Sequence, residues 1–274
     1  ILNHYFKVNK DSDLNTSLMY QFGGIGNSKI DYQNANSPDP TYFRKMPSYF
    51  TALYERDNGE FSGAFIPDFE NAAKSEASFL ANPQIDWSAL YRANQNPITN
   101  QNGSITGYTA AKSHYVLYED RTDDKLFMGN SVFNTLLTEN ISLQAGATFR
   151  KLKSHNYQKL TDLLGGSYFE DIDGFYKGKQ AQADLNNPNR QVKVGDAYGY
   201  NFLFDATTFD AFTQFKFAYT KVDFYLAQTF SNSSYQREGL YKNGIYENIS
   251  FGKSQNLKFE NFGFKAGLTY KISG

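Results

Sequence analysis

The sequence predicts an all-β fold, an antiparallel transmembrane β-barrel segment with short turns at one end and long loops at the other. Three observations carry this. Aromatic-rich stretches alternate apolar and polar residues with period two, as in "FDAFTQFKFAYTKVDFYLAQTF" (209–230). Short and long connections alternate along the chain, a pattern of membrane barrels; loops beyond about 15 residues are uncommon in soluble sandwiches. The polar side of each run carries Asn, Ser, Gln, Thr, Gly and Lys. Such residues suit a wetted lumen better than the Lys- and Glu-rich exterior of a soluble sheet.

The elements follow in order. "NHYFK" reads as the tail of a first strand and "VNKDSD" as its turn. In 14–22, Leu14, Thr16, Leu18, Tyr20 and Phe22 share one face, and Asn15, Ser17, Met19 and Gln21 the other. "KLFMGNSVFNTLL" (125–137) is extended but mixed, and "TEN" joins it to 141–149. There Ile141, Leu143, Ala145, Ala147 and Phe149 oppose Ser142, Gln144, Gly146 and Thr148. In the next hairpin Phe209, Ala211, Thr213, Phe215, Phe217 and Tyr219 share a face, with Phe212 as an exception opposite. Val222, Phe224, Leu226 and Phe230 continue the apolar side after a short turn at 219–222. Phe262, Phe264, Ala266, Leu268, Tyr270 and Ile272 form the last run, and the phase slip between Phe259 and Phe262 predicts a bulge. Turns are expected near 8–13, 138–140 and 219–222, and long polar connections across 33–110, 155–203 and 240–255.

Composition narrows the function. A net charge of -1 gives no field for nucleic acid. With no cysteine there is neither a disulfide framework nor a thiolate metal site. No apolar run of about 18 residues exists, which excludes a transmembrane helix but not membrane strands. The opening "ILNHYFKVNK" and closing "AGLTYKISG" read as cuts, so an internal segment of a longer chain is expected.

Several segments then resemble one family. "YFRKMPSYF" (42–50), "QIDWSALYRAN" (84–94), "LTDLLGGSYFEDIDGF" (160–175), "ADLNNPNRQVKVGDAYGYNF" (183–202) and "NLKFENFGFKAGLTYKISG" (256–274) are similar to barrel loops and strands of TonB-dependent outer-membrane receptors. The branch is the one with an N-terminal carboxypeptidase-like regulatory domain. The resemblance spans most of the chain, and its loop segments are the specific part.

It implies a barrel of about 22 strands, occluded by an N-terminal plug and energised through TonB. Neither a plug sequence nor a TonB-binding box is recognised within these residues, and the strands counted here are only about seven. Residues 1–274 would then be part of one barrel domain in the bacterial outer membrane, with short turns periplasmic and long loops extracellular. The implied activity is active import of a nutrient, whether peptide, glycan or metal chelate. Implied partners are outer-membrane lipid and lipopolysaccharide, TonB through the plug, and a surface lipoprotein acting as a lid. A passive porin or secretion-associated barrel and a surface β-rich adhesin are the alternatives.

No enzyme is expected. His4, His114 and His155 are far apart, and neither an H-x-x-x-H spacing nor a G-x-S-x-G elbow occurs; His155 reads as a solvated loop residue near the rim. No cofactor is expected. Calcium is the one metal weighed, at "YEDRTDD" (118–124) or "YFEDIDGF" (168–175), where carboxylates cluster without an EF-hand's spacing. The candidate substrate-binding residues are Tyr49, Phe50, Trp87, Tyr91 and Arg92, since aromatics with Arg are enriched at binding hot spots. The competing reading is self-packing, with "WSALYRAN" a short helix whose inner face is Trp87, Leu90 and Tyr91. "KSH", "RKLK" and Lys216 are candidate contacts for lipopolysaccharide phosphates.

Overall fold

The structure, a computed structural model, describes residues 1–51, 54–57, 60–65 and 67–272. Parts of the predicted 33–110 connection, and residues 273 and 274 of the closing run, lie outside the described residues.

Seven long strands pair in chain order, each antiparallel to the next: β1 (Leu2–Asn9), β2 (Ser12–Tyr32), β3 (Tyr115–Thr138), β4 (Ile141–Asp162), β5 (Ala197–Ala218), β6 (Val222–Gly239) and β7 (Leu257–Tyr270). A two-residue strand, Gly252–Lys253, pairs with the end of β6. Among the described residues β1 and β7 each have one neighbour in the ladder, so this sheet is open. The fold is therefore mostly antiparallel β, as expected.

The register places the predicted apolar sets on a single face. Leu14 faces Phe133, which faces Ala145. Phe149 pairs with Phe209, Phe215 with Leu226, and Leu226 with Ala266. The rings meet across strands: Phe127 with Phe149 at 6.3 Å, Phe217 with Phe224 at 4.3 Å and Phe230 with Phe262 at 5.0 Å. In β2, β5, β6 and β7 the band is nine residues long: Leu14–Phe22, Phe209–Phe217, Val222–Phe230 and Phe262–Tyr270. Nothing among the described residues covers its outer members; Phe264 is 79% exposed and Leu268 72%.

The opposite face is polar and internally bonded. Asn134 bonds Asp13 and accepts from Gln144, and Asn130 bonds Thr148. Phe212 belongs to this face for a steric reason. It pairs with Gly146, where a Cβ would lie 2.6 Å from its ring. Tyr225 covers Gly267 the same way; an aromatic shields backbone that glycine leaves bare.

The predicted bulge near Phe259 is absent. β6 and β7 keep one register from Val222–Tyr270 to Tyr235–Leu257, and Phe259 belongs to the polar face. The strands are also longer than expected. Residues 155–162 and 197–203 are strand, so that connection runs over 163–196, and the first runs over 33–114. His155 consequently sits within β4, bonded to Asn201 at 2.7 Å and stacked on Tyr157. Its expected place in a loop is corrected.

Antiparallel order puts the turns around Lys10–Asp11, Glu139–Asn140 and Tyr219–Lys221 at one end and the connections 33–114, 163–196 and 240–256 at the other. The first connection contains α1 (Pro47–Thr51), α2 (Phe69–Ala81) and α3 (Trp87–Ala93). Asp68 and Asp86 cap α2 and α3 by accepting from Asn71 N and Ala89 N, both at 2.9 Å. Beyond the apolar band the polar face of the strands becomes a core. Val116, Leu160 and Tyr198 pack there against Phe169 and Val192 of the 163–196 connection. That core seats the loops over the polar face.

Candidate binding site above the apolar band

Buried side-chain amides and hydroxyls tie the loops together. Asn94, fully buried at the end of α3, donates to the carbonyls of Tyr115, Leu163 and Leu164 and accepts from His114 N and Tyr115 N. Ser113 Oγ donates to Leu163 O at 2.8 Å. Gln33, just past β2, donates from Nε2 to Glu170 O and Ile172 O at 2.9 and 2.7 Å. The second and third connections are joined through Arg190, which pairs with Asp171, bonds Tyr241 Oη at 2.9 Å and lies over its ring. Lys242 N donates to Asp184 at 3.0 Å beside this junction.

Between these ties lies a cavity of about 500 Å³, a size suited to a small ligand. Asp31, Gln33, Gln158, Asp171, Asp173 and Tyr200 are among its lining residues. The register puts Asp31 and Gln158 on the polar face, above the band. A register shift between Tyr198 and Asn201 in β5 makes a bulge of Gly199 and Tyr200, and bulges commonly re-aim side chains beside functional sites. Gly199 has φ +64°, and a Cβ there would lie 1.9 Å from Gln158 Oε1. That backbone favours glycine, and its N–H donates to Asp171 at 2.7 Å.

The charges divide into engaged and free. Lys29 pairs with Asp120 at 2.6 Å, and Tyr200 Oη donates to the same carboxylate at 3.0 Å. Burial opposes the charge of Asp120, but Lys29, Tyr200 and Gln158 outweigh it and hold the carboxyl below its ordinary range. Tyr200 is pushed up to about 12 by burial and by Asp120. Asp31 accepts from Tyr198 Oη at 3.0 Å and Tyr32 N at 2.8 Å. Burial nevertheless raises its carboxyl above the ordinary range.

The sequence-predicted site residues are elsewhere, in two groups. Tyr49 and Phe50 meet edge-to-face at 5.4 Å in α1, and Tyr49 also packs on Phe43. Phe50 lines a second cavity with Arg44, Lys74 and Asp86. Trp87, Tyr91 and Arg92 are exposed on α3, while Leu90 is its buried residue. The expected inner face of Trp87, Leu90 and Tyr91 thus reduces to Leu90, with Tyr91 lying close against Gly165. The acidic run 118–124 lies in the loop-end part of β3, and Arg121 bridges Glu119 and Asp123 within it. In 168–175, Asp171 is held by Arg190. No group of three or more metal-ligating side chains occurs among the described residues. Arg150 and Lys216 lie on the polar face, while Lys151, Lys153 and His155 share the face of the band.

Asp31, Gln33 and the Tyr198–Tyr200 bulge escaped sequence reasoning. The signal available was a glycine between tyrosines in "DAYGYNF", since an isolated glycine in a strand marks a bulge or close approach.

The chain matches no family model, and no curated protein is significantly similar to it.

Proposed function

We propose that the chain is the barrel wall and extracellular loops of a TonB-dependent importer that carries a nutrient across the bacterial outer membrane without chemistry on it. The observation that carries the reading is the apolar band. It keeps one face across seven strands by register, is uncovered among the described residues, and is nine residues tall in four of them. A membrane strand needs about 9–11 residues, and an uncovered apolar surface of this breadth in water invites aggregation.

The ends of the band support the same orientation. Lys125 and Lys153 sit directly opposite each other on the band's own face, with Lys151 beside them, immediately beyond Phe127 and Phe149. Asp205 faces Lys153 from the next strand, so one of these charges has a carboxylate beside it; lipopolysaccharide phosphates would meet the remaining lysines at that level. In lipid the free edges of β1 and β7 require pairing with further strands. The loops gathered over the polar face would form the entrance, with Tyr49, Phe50, Trp87, Tyr91 and Arg92 as capture residues on the outermost connection.

Conductance of the full-length protein in planar bilayers separates an importer from a porin. An occluded importer gives no steady current, and its uptake in cells stops when the proton-motive force is collapsed. A steady open conductance would make the chain a porin, and release from cells without detergent would make it an adhesin. If deleting residues 33–110 leaves uptake unchanged, the capture role of that loop is lost.

A further inference from the structure

The cavity above the band has a one-sided chemistry. Its nearby cations are already engaged, Lys29 by Asp120 and Arg190 by Asp171. Among the described residues neither Asp31 nor Asp173 has a cation within ion-pair distance, although both line the cavity. The Asp173 side chain is bonded through its Oδ1, which accepts from Phe175 N at 2.9 Å. Gln33 adds an independent signal. It is 4% exposed, lines the same cavity, and its Oε1 has no hydrogen-bond partner although its Nε2 has two. A buried amide oxygen left without a donor is costly.

What the wall offers is therefore two carboxylates without a cation, Asp31 and Asp173, and behind them a buried amide oxygen that no donor satisfies. Counting Asp31, Asp120, Asp171 and Asp173 against Lys29 and Arg190 leaves two net negative charges. A ligand that satisfies this wall must donate several N–H groups and carry positive charge. Tyr32, Phe175 and Tyr200 are also among the residues that line the space. A bare divalent ion fits less well, because calcium takes six or more oxygens and no three-carboxylate group is present among the described residues.

We propose that this cavity binds the protonated primary amine of a small organic substrate, with the Asp31 and Asp173 carboxylates as its acceptors. The proposal rests on the importer reading for its purpose: it names the substrate class admitted at the loop end. Its chemistry is independent of that reading.

The test is calorimetric titration of the full-length protein in detergent with two probes, trialanine amide and its N-acetylated form. The free amine should bind about tenfold more tightly or better, the usual worth of a charged hydrogen bond. Asp31→Asn keeps an acceptor for Tyr198 and should erase that preference. Asp173→Asn, at an exposed position, should reduce it several-fold and guards against misfolding of the first variant. Equal affinity for the two probes, or a preference that survives both substitutions, overturns the proposal. Calcium binding that depends on Asp31 while neither peptide binds would also overturn it, as a metal site. A chain that prefers the free amine but is released from cells without detergent keeps this site and loses the importer. An occluded outer-membrane barrel indifferent to the amine does the reverse.

Discussion

Asp31 is the residue whose chemistry most distinguishes the site. Burial lifts its carboxyl above the ordinary range, with Asp173 and Asp120 adding repulsion and the Tyr198 and Tyr32 bonds opposing it. Lys29 is engaged by Asp120 and does not relieve it. A carboxyl raised on folding favours the protonated native state. Its contribution is complete below the unfolded value of about 3.9 and is lost as pH rises through the folded value. Thermal unfolding of the wild type and Asp31→Asn should therefore diverge with pH. As pH rises above about 4 the variant should gain on the wild type, and an unchanged difference would contradict the burial of this carboxylate. Little of this was legible beforehand. Asp31 and Gln33 lie where the alternation of β2 has ceased to be apolar, and their importance comes from Tyr198, Glu170 and Ile172, distant in sequence. Tyr49, Phe50, Trp87, Tyr91 and Arg92 drew attention by type alone, and the fold divides them between two helices.

At the scale of elements, the band was legible and its continuation was not. Within the band each strand meets one apolar and one polar environment, so the pattern Leu14, Leu18, Tyr20, Phe22 states its faces outright. Beyond Phe149 the environments exchange. Lys151, Lys153 and His155 now occupy the outer face, while Leu160 turns inward to meet Phe169. A reading that follows one apolar phase stops there, which is why 155–162 and 197–203 were expected as loop. The band itself makes a prediction. Leu226 lies at its middle and is 53% exposed. Leu226→Arg should cost about 2–4 kcal/mol for folding into a bilayer, whereas Gln214→Lys on the polar face should change stability little. If both are near neutral when folding into vesicles is titrated with urea, the band does not face lipid.

For the whole molecule, the account joins a sheet with opposite faces to loops bound together by Asn94, Gln33 and Arg190 over the polar side. The sheet explains how a chain of negative mean hydropathy could stand in a membrane, since only one face of each strand need be apolar. The most direct test uses the absence of cysteine. Single cysteines placed from Phe224 to Thr229 in β6 can each carry a spin label in the native membrane. Collisions with oxygen report lipid, and collisions with a water-soluble nickel complex report water. Strict alternation is expected, with positions 224, 226 and 228 in lipid and positions 225, 227 and 229 in water. Water at every position, or no alternation along the strand, would contradict it.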